Sequence, residues 1–236
     1  MRSVALAVAL TCLIAAACCA QGSYVSVWGA EDQSQQSTSS WYGNVGLIVT
    51  PSAYTPPASA ATIGGHWVDR APDATWVANV NFGLTRDLEI GGAWIEQPNA
   101  DAEVVVNAKY HVDAAKLLGE ANLPDMAVGV FDVADEINRS IYLVFSKSFR
   151  VDSSKPDGAR INLHAGWGVA EQDGGPLDGF FGGVEFRALK DALVQAEFDG
   201  DAFNADIRYN VTPAVSVEVG VLDGDLGAGL TYRSQF

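Results

Sequence analysis

Hydrophobic and polar residues alternate with a period of two along most of the chain. In 203–211, apolar or aromatic residues occupy every odd position, and the even positions carry Asn204, Asp206, Arg208 and Asn210. Such alternation indicates a β-strand with one apolar and one polar face. By this rule we predict about twelve strands, over 61–70, 75–84, 88–96, 102–112, 125–134, 140–150, 159–170, 180–188, 192–199, 203–211, 214–222 and 226–236. The phase of 125–134 and of 140–150 is ambiguous.

The connections between these segments are of two kinds. Short, similar turns at 84–88, 189–193 and 211–215 alternate with acidic, Gly-rich loops such as 171–179 and 223–225. The only helix-like stretch is DAAKLLGE at 113–120, and no strand–helix–strand alternation is present. Sequential hairpins without long crossovers predict an all-β antiparallel meander, and a sheet of about twelve strands avoids two exposed edges by closing into a barrel.

The composition of the two faces predicts which one is outside. The polar phase contains isolated charges of both signs and many small residues, namely Gly83, Gly91, Gly166, Gly168, Gly227 and Gly229. The apolar phase has aromatic residues near strand ends, namely Trp76, Trp94, Phe203, Tyr232 and Phe236. A crowded polar interior and an apolar band with aromatic girdles are typical of a membrane barrel. We therefore predict a closed, up-and-down transmembrane β-barrel of about twelve strands. Its termini and short turns would face the periplasm, and its acidic loops would face outward.

The N-terminus resembles a targeting segment rather than part of the fold. Arg2, an apolar run and the small residues before Gln21 predict a secretory signal peptide over 1–20, with a membrane helix as the minor alternative. All three cysteines, Cys12, Cys18 and Cys19, lie within it, so cleavage near Ala20 would leave no thiol, whereas lipoprotein processing would acylate Cys18 or Cys19. Residues 21–60 are predicted to be a flexible exported leader with a short lead-in strand, and residues 61–236 to be the barrel. The predicted location is the outer membrane of a Gram-negative bacterium.

The net charge argues against a nucleic-acid partner, and the spacing of the histidines gives little support to a metal site. The formal net charge of −15 argues against a nucleic-acid partner. His66, His111 and His164 lack metal-ligand spacing, and we expect no metal and no cofactor. The acidic loops would suit divalent cations that bridge lipopolysaccharide, but Asp-Gly is also a common hairpin turn signal, and we favour the turn.

A polar cluster on the inward phase is the main candidate site. Its members are Glu185, Arg187, Glu197, Asp199, Asp206, Arg208 and Glu218. They would contact a sugar polymer in the lumen, or form a charge network that fills a narrow barrel, and we favour the network because buried charges need partners. In a glycosidase, two of these carboxylates would act as the acid and the base. An acyl hydrolase would need His164 with Ser146 or Ser148, although no spacing motif supports it.

The sequence ends in the alternating segment GLTYRSQF. Leu230, Tyr232 and Phe236 fall in the lipid-facing phase, and Thr231, Arg233 and Gln235 fall in the lumen phase. A C-terminal Phe on a closing strand resembles the signal by which the outer-membrane insertion machinery recognises its clients. The predicted partners are therefore outer-membrane lipids and that machinery, with Tyr232 and Phe236 as the insertion signal.

Several stretches resemble the YjbH-like family of outer-membrane proteins tied to exopolysaccharide production. They are VGLIVTPSA at 45–53, PDMAVGVFD at 124–132, SK at 146–147, GFFGGVEFR at 179–187 and AEFDGD at 196–201, followed by Asn204. The resemblance runs from about residue 41 to the end. It implies an outer-membrane β-barrel with a role in polysaccharide secretion or capsule assembly, with polysaccharide and export proteins as partners. The motif residues Gly46, Leu47, Ile48, Thr50 and Pro51 would form a plug, an assembly contact or a simple lead-in strand.

These observations lead to one expected function and two alternatives. The expected function is a non-enzymatic outer-membrane barrel that assists exopolysaccharide export or assembly. The first alternative is an outer-membrane hydrolase that acts on glycan or lipid through lumen residues. The second is a secreted soluble β-barrel that binds a small ligand.

Overall fold

The protein folds into a closed barrel of twelve antiparallel strands with a two-stranded ribbon in addition. The computed structural model describes residues 38–71, 73–97, 100–119, 123–150, 159–174, 176–189 and 191–235. The ribbon is β1 (Thr38–Ser39) and β2 (Val45–Gly46). The barrel consists of β3 (Ala60–Val68), β4 (Thr75–Gly83), β5 (Leu88–Glu96), β6 (Glu103–Val112), β7 (Asp125–Phe131), β8 (Ser140–Arg150), β9 (Arg160–Ala170), β10 (Gly179–Leu189), β11 (Ala192–Phe198), β12 (Phe203–Asn210), β13 (Val215–Leu222) and β14 (Asp225–Gln235).

Each barrel strand pairs with its neighbours in sequence, and the last strand closes on the first. The β14–β3 seam runs from Gly227 opposite Val68 to Gln235 opposite Ala60. The predicted all-β fold, the twelve strands and the closure are therefore confirmed. The predicted strand limits differ from the observed ones by three residues at most. Closure removes both sheet edges, so that the backbone N–H and C=O groups of the strands can pair within the barrel.

The two ends of the barrel differ, and we name them by their connections. The turn end carries the short connections after β4, β10 and β12, and the longer 113–124 connection with its helix α1 (Ala114–Leu118). The loop end carries the connections after β3, β5, β7, β9, β11 and β13. Strand β3 begins and β14 ends at the turn end, as the even strand number predicts. No helix in the described part of the protein is long and apolar enough to cross a membrane.

The predicted inward and outward phases are confirmed in the strongly alternating strands. On β12, Phe203 is 80% exposed and Ile207 is 49% exposed, whereas Asp206 and Arg208 are buried. On β14, Leu230 and Tyr232 face outward, and Thr231 and Arg233 are buried. The side chains of successive strand residues point to opposite faces, and here the apolar set faces out.

In β7 and β8 the sequence did not show which face points inward, and the structure gives the reason. Inward-facing Phe131, Tyr142 and Val144 are buried, while outward-facing Ile141 and Phe145 are exposed. Both faces of these strands are apolar, so that the period-two contrast on which the prediction depends is lost. The inward apolar residues pack into a cluster with Phe181, Leu177 and Ala53.

Residues 38–59, which we call the plug, run through the barrel interior as far as Pro56 and reach the surface at Ala58 and Ser59. Trp41, Leu47, Ile48 and Tyr54 are at most 3% exposed. This differs from the flexible leader predicted for 21–60, and from residue 38 onward the leader is part of the packed interior. Its aperiodic sequence shows neither the strand nor the helix pattern that would predict its place in the fold. The predicted signal peptide with its cysteines, residues 21–37 and Phe236 lie outside the described residues.

Candidate functional site

The plug crosses the lumen as a compact, folded segment. Strands β1 and β2 pair Thr38 with Gly46 and Ser39 with Val45, and Gly46 forms a further bridge to Pro51. The plug joins the barrel wall at the turn end, where Ser59 N–H donates to Gly83 O at 2.9 Å. All five motif residues, Gly46, Leu47, Ile48, Thr50 and Pro51, therefore lie in the lumen and contribute to the plug.

Glu197 on β11 holds the tip of the plug. Its carboxylate accepts hydrogen bonds from the backbone N–H groups of Ile48, Val49 and Thr50 at 2.9 to 3.1 Å. It also accepts from the Thr50 hydroxyl at 2.7 Å and from Asn204 Nδ2 at 3.1 Å. Five donors on one buried carboxylate satisfy its lone pairs, which makes its burial tolerable.

Arg208 on β12 also holds the plug, but it donates hydrogen bonds where Glu197 accepts them. Its guanidinium donates to Ser39 O and to Leu47 O, each at 2.9 Å. The same group lies 2.8 Å from Asp206 and 2.7 Å from Glu218. Two carboxylates therefore fix the Arg208 side chain, and its remaining N–H donors are directed at plug carbonyls.

A buried ion pair near the turn end clamps a single plug residue. Lys109 Nζ lies 3.0 Å from Glu89 Oε2. Glu89 accepts from Val45 N–H, and Lys109 donates to Val45 O, both at 2.6 Å. Asn81 Nδ2 donates to Glu89 as well, at 2.8 Å. The backbone of Val45 is thus bound at both its donor and its acceptor.

Two asparagines and a histidine of the wall also contact the plug. Asn79 Nδ2 donates to Ser40 O and Trp41 O, and Asn107 Nδ2 donates to Tyr42 O at 2.6 Å. The indole of Trp41 stacks on His66, with ring centroids 4.7 Å apart. His66 Nδ1 lies 2.6 Å from Glu218, which links this contact to Arg208.

Ser146, His164 and Glu185 form a series of contacts that resembles the order of a hydrolase triad. Ser146 Oγ lies 2.7 Å from His164 Nδ1, and His164 Nε2 lies 3.5 Å from Glu185. However, Ser146 Oγ also accepts the backbone N–H of plug residue Ala53 at 2.8 Å. Ser146 is 1% exposed, so that no substrate can approach its oxygen while the plug is in place. In this arrangement the three groups serve as a plug anchor.

The structure brings together most of the predicted polar cluster. Glu185, Glu197, Asp206, Arg208 and Glu218 are buried on four neighbouring strands. Arg187 is half-buried and has further interactions of its own. Asp199 lies apart, in the loop after β11, where it accepts from Asn204 at 2.9 Å and caps the Asp201 and Ala202 backbone.

Part of the site, on β4 to β6, was not predicted from the sequence. Glu89, Lys109, Asn79 and Asn107 contact the plug directly. Their signal was present, since the alternation of β6 already assigned Asn107 and Lys109 to the inward phase. The inward position predicts burial, but only the path of the plug shows which inward residues bind it.

A small vestibule lies at each end of the filled lumen. At the loop end, a cavity of about 380 Å³ is lined by plug residues Tyr42 and Val49 and by Pro176, Asp178 and Asp199, among others. At the turn end, a cavity of about 290 Å³ lies between Tyr54 and Thr55 of the plug and residues that include Arg86 and His111. The described residues include no group of three or more His, Cys, Asp and Glu placed to hold a metal ion.

Comparison with known proteins finds similar barrels but no family. No protein-family model and no curated protein matches the sequence. Among solved structures, the protein is similar to the KdgM porin, at 12% identity and a TM-score of 0.47, over 75% of its own length and 99% of the porin. It is similar to the Acinetobacter baumannii outer membrane protein Omp33, at 11% identity and 0.49, over 75% and 98%. It is also similar to the NanC porin, at 12% and 0.44, over 75% and 99%. At these identities and scores, the barrel assignment depends on the strand pairing described above.

Proposed function

We propose that this protein is an outer-membrane β-barrel of a Gram-negative bacterium that assists exopolysaccharide export or assembly without catalysing a reaction. The observation that carries the membrane assignment is the outward face of the barrel. Large apolar side chains are exposed on almost every strand, among them Ile63, Val80, Leu163, Val194 and Leu230. A continuous apolar surface around the whole barrel is far larger than the patches that soluble monomers expose.

Aromatic side chains support the same assignment because they lie at both margins of this band. Trp76, Trp167 and Phe203 are exposed near the loop end. Tyr110, Phe149 and Tyr232 are exposed near the turn end. Aromatic residues are enriched where a membrane barrel meets the two water interfaces. The short connections of the turn end would then face the periplasm.

The polysaccharide role rests on the resemblance to YjbH-like proteins. One of its two more specific stretches, Gly46 to Ala53, is the part of the plug that Glu197 and Ser146 hold. The other, FGGVEFR at 181–187, lies on β10 of the wall. A motif that lies inside the lumen, where its residues contact the wall, is consistent with a role in controlling what passes through the barrel. The lumen wall, rather than a loop, is therefore the proposed functional surface.

Cell fractionation with a polymer assay tests this function. We expect the protein in the detergent-extracted outer-membrane fraction, and we expect deletion of its gene to reduce secreted polysaccharide. A plasmid-borne copy should restore secretion. Recovery of the protein in the detergent-free periplasmic fraction would favour the soluble-barrel alternative, and unchanged secretion in the deletion strain would contradict the polysaccharide role.

The series of contacts from Ser146 through His164 to Glu185 favours one second candidate, an acyl hydrolase. Its test is labelling of the purified protein with a fluorophosphonate probe, which reacts with activated serines. Under the non-enzymatic proposal, wild type and Ser146→Ala should label equally weakly. Labelling and ester hydrolysis that disappear together in Ser146→Ala would support the hydrolase instead.

A further inference from the structure

The charged wall groups that hold the plug contact only uncharged groups of the plug. Residues 38–59 contain no Asp, Glu, Lys, Arg or His. Nevertheless Glu197, Arg208 and Lys109 all contact them. Each contact joins a wall charge to a backbone N–H, a backbone carbonyl or the Thr50 hydroxyl. The wall is therefore a surface that recognises neutral donors and acceptors, and hydroxyl groups offer both in one atom.

The charges of the wall are mixed in sign. Its buried strand residues include the carboxylates Glu89, Glu185, Glu197, Asp206 and Glu218 and the cations Lys109, Arg208 and Arg233. Among these described, buried residues the carboxylates outnumber the cations, so that together they offer little net attraction to a polyanion. An uncharged polar polymer is not repelled by the carboxylates. Its hydroxyl groups can accept a hydrogen bond from one wall group and donate one to the next.

Part of the lumen wall is apolar, on strands that also carry polar wall residues. Phe131, Tyr142 and Phe181 face inward and are buried, and the Tyr142 and Phe181 rings meet edge to face at 6.1 Å. Sugar rings combine hydroxyl edges with apolar C–H faces, which pack on aromatic and aliphatic side chains. A lumen wall that offers both hydrogen-bonding groups and aromatic groups therefore suits a sugar polymer.

One polar side chain of the plug is buried without polar partners. Asn44 is 1% exposed, and among the described residues neither its side-chain nitrogen nor its side-chain oxygen has a hydrogen-bond partner. A buried amide without partners destabilises the seated state. The barrel, by contrast, closes through the β14–β3 ladder, in which the plug has no part. The plug can therefore leave without opening the wall.

We propose that the plug occupies a binding path for an uncharged, hydroxyl-rich polymer, and that such a polymer displaces the plug from Glu197, Arg208 and Lys109. This inference rests on the proposed function, since it names the class of polymer that the barrel would handle. It assigns neutral polysaccharide to the lumen and excludes a polyanionic one.

Thiol labelling of a plug residue tests the displacement. Leu47 and Ile48 are both fully buried, so that Leu47→Cys in the full-length protein reconstituted in liposomes should react slowly with a water-soluble maleimide. We expect a neutral linear glucose oligomer to raise the labelling rate at least tenfold, and an oligoglucuronate of equal length to raise it less than twofold. The labelling rate of Ile48→Cys should respond in the same way. Labelling of the wild type measures any contribution from Cys12, Cys18 and Cys19.

A disulfide lock shows whether the path is the lumen itself. Ala53 N lies 2.8 Å from Ser146 Oγ, so that Ala53→Cys with Ser146→Cys places two thiols close enough to be tested for a bridge. In planar bilayers, the neutral oligomer should change the ion current of the reduced pair but leave the oxidised pair unaffected. Reduction of the locked protein should restore the response.

The outcomes separate this inference from the proposed function. A protein that does not insert into liposomes contradicts the membrane assignment. A protein that inserts and shows the heat-modifiable mobility of a folded barrel, but whose Leu47→Cys and Ile48→Cys labelling is unchanged by the neutral oligomer, contradicts the displacement. Equal or stronger acceleration by oligoglucuronate contradicts the assignment to uncharged polymers.

Discussion

At the scale of single residues, the interior is organised by charges that share partners. Arg208 shows this most clearly, since it holds Asp206, Glu218 and two plug carbonyls at once. Buried charges are tolerated only when their partners are in place, and removal of one member leaves the others unpaired. The predicted cluster thus includes a charge network that fills the barrel, and the same network also holds the plug.

We expect Arg208→Ala to lower the free energy of unfolding by about 3–5 kcal/mol, because it leaves two buried carboxylates without their cation. Urea unfolding in lipid vesicles, followed by tryptophan fluorescence, measures this loss. The matched control is Arg70→Ala, since Arg70 is half exposed and pairs with Asp223 and Asp225 at 3.3 and 3.0 Å. Its loss should cost no more than about 1 kcal/mol.

The triple variant in which Asp206→Ala and Glu218→Ala accompany Arg208→Ala adds a second check. It should lose less stability than the three single losses combined, because no uncompensated charge remains among the three groups. Strict additivity would show that the three groups do not act as one network.

Glycines on the inward face let the plug approach the wall. A Cβ on Gly91 would lie 1.7 Å from Gly43 O in the plug, whereas a Cβ on outward-facing Gly65 would meet nothing within 4 Å. We therefore expect Gly91→Ala to displace the 40–44 turn and Gly65→Ala to leave it in place. Limited proteolysis of the folded barrel should cut the plug faster in Gly91→Ala only. Equal protection of both variants would contradict the observed plug path.

At the scale of elements, the strands were predictable and the plug was not. Alternation identified β12 and β14 with their faces, because an apolar outside and a polar inside give maximum contrast. In β7 and β8 the contrast vanishes, since Phe131 and Tyr142 point inward against the plug. The plug itself has neither helical nor strand periodicity, and its burial depends on wall residues far away in sequence, such as Glu197, 147 residues from Thr50.

The closing strand carries the next prediction. The seam pairs Tyr232 with Ile63, and the outward-facing Tyr232 is 47% exposed. From the sequence we expect deletion of Phe236 to reduce insertion into the outer membrane severalfold, while barrels that do assemble keep normal stability. Quantitation of the heat-modifiable form in the membrane fraction measures this, with Thr231→Ala, a buried position on the same strand, as a control. Full assembly of the deletion variant would remove the role of Phe236 as an insertion signal.

At the scale of the whole molecule, the barrel is inverted relative to a soluble protein. Its interior holds ion pairs and a neutral plug, and its exterior holds Val, Leu, Ile and aromatic residues. The sequence pattern predicts this inversion only for strands whose inward and outward faces differ in composition, such as β12 and β14. Which polar residues act as ligands follows from the path of residues 38–59, a long-range property that no local pattern contains.

An arginine scan across the outward face tests the inversion directly. Val80 lies near the middle of β4 and is 49% exposed, and Trp76 lies near the loop-end margin and is 54% exposed. In a bilayer, Val80→Arg should cost about 2–4 kcal/mol, and Trp76→Arg should cost less for its charge because that cost falls toward the interface. Unfolding titrations in lipid vesicles give both values. On a water-facing barrel an arginine at either position would be nearly neutral, so a depth-dependent penalty is the result that only a membrane-embedded band produces.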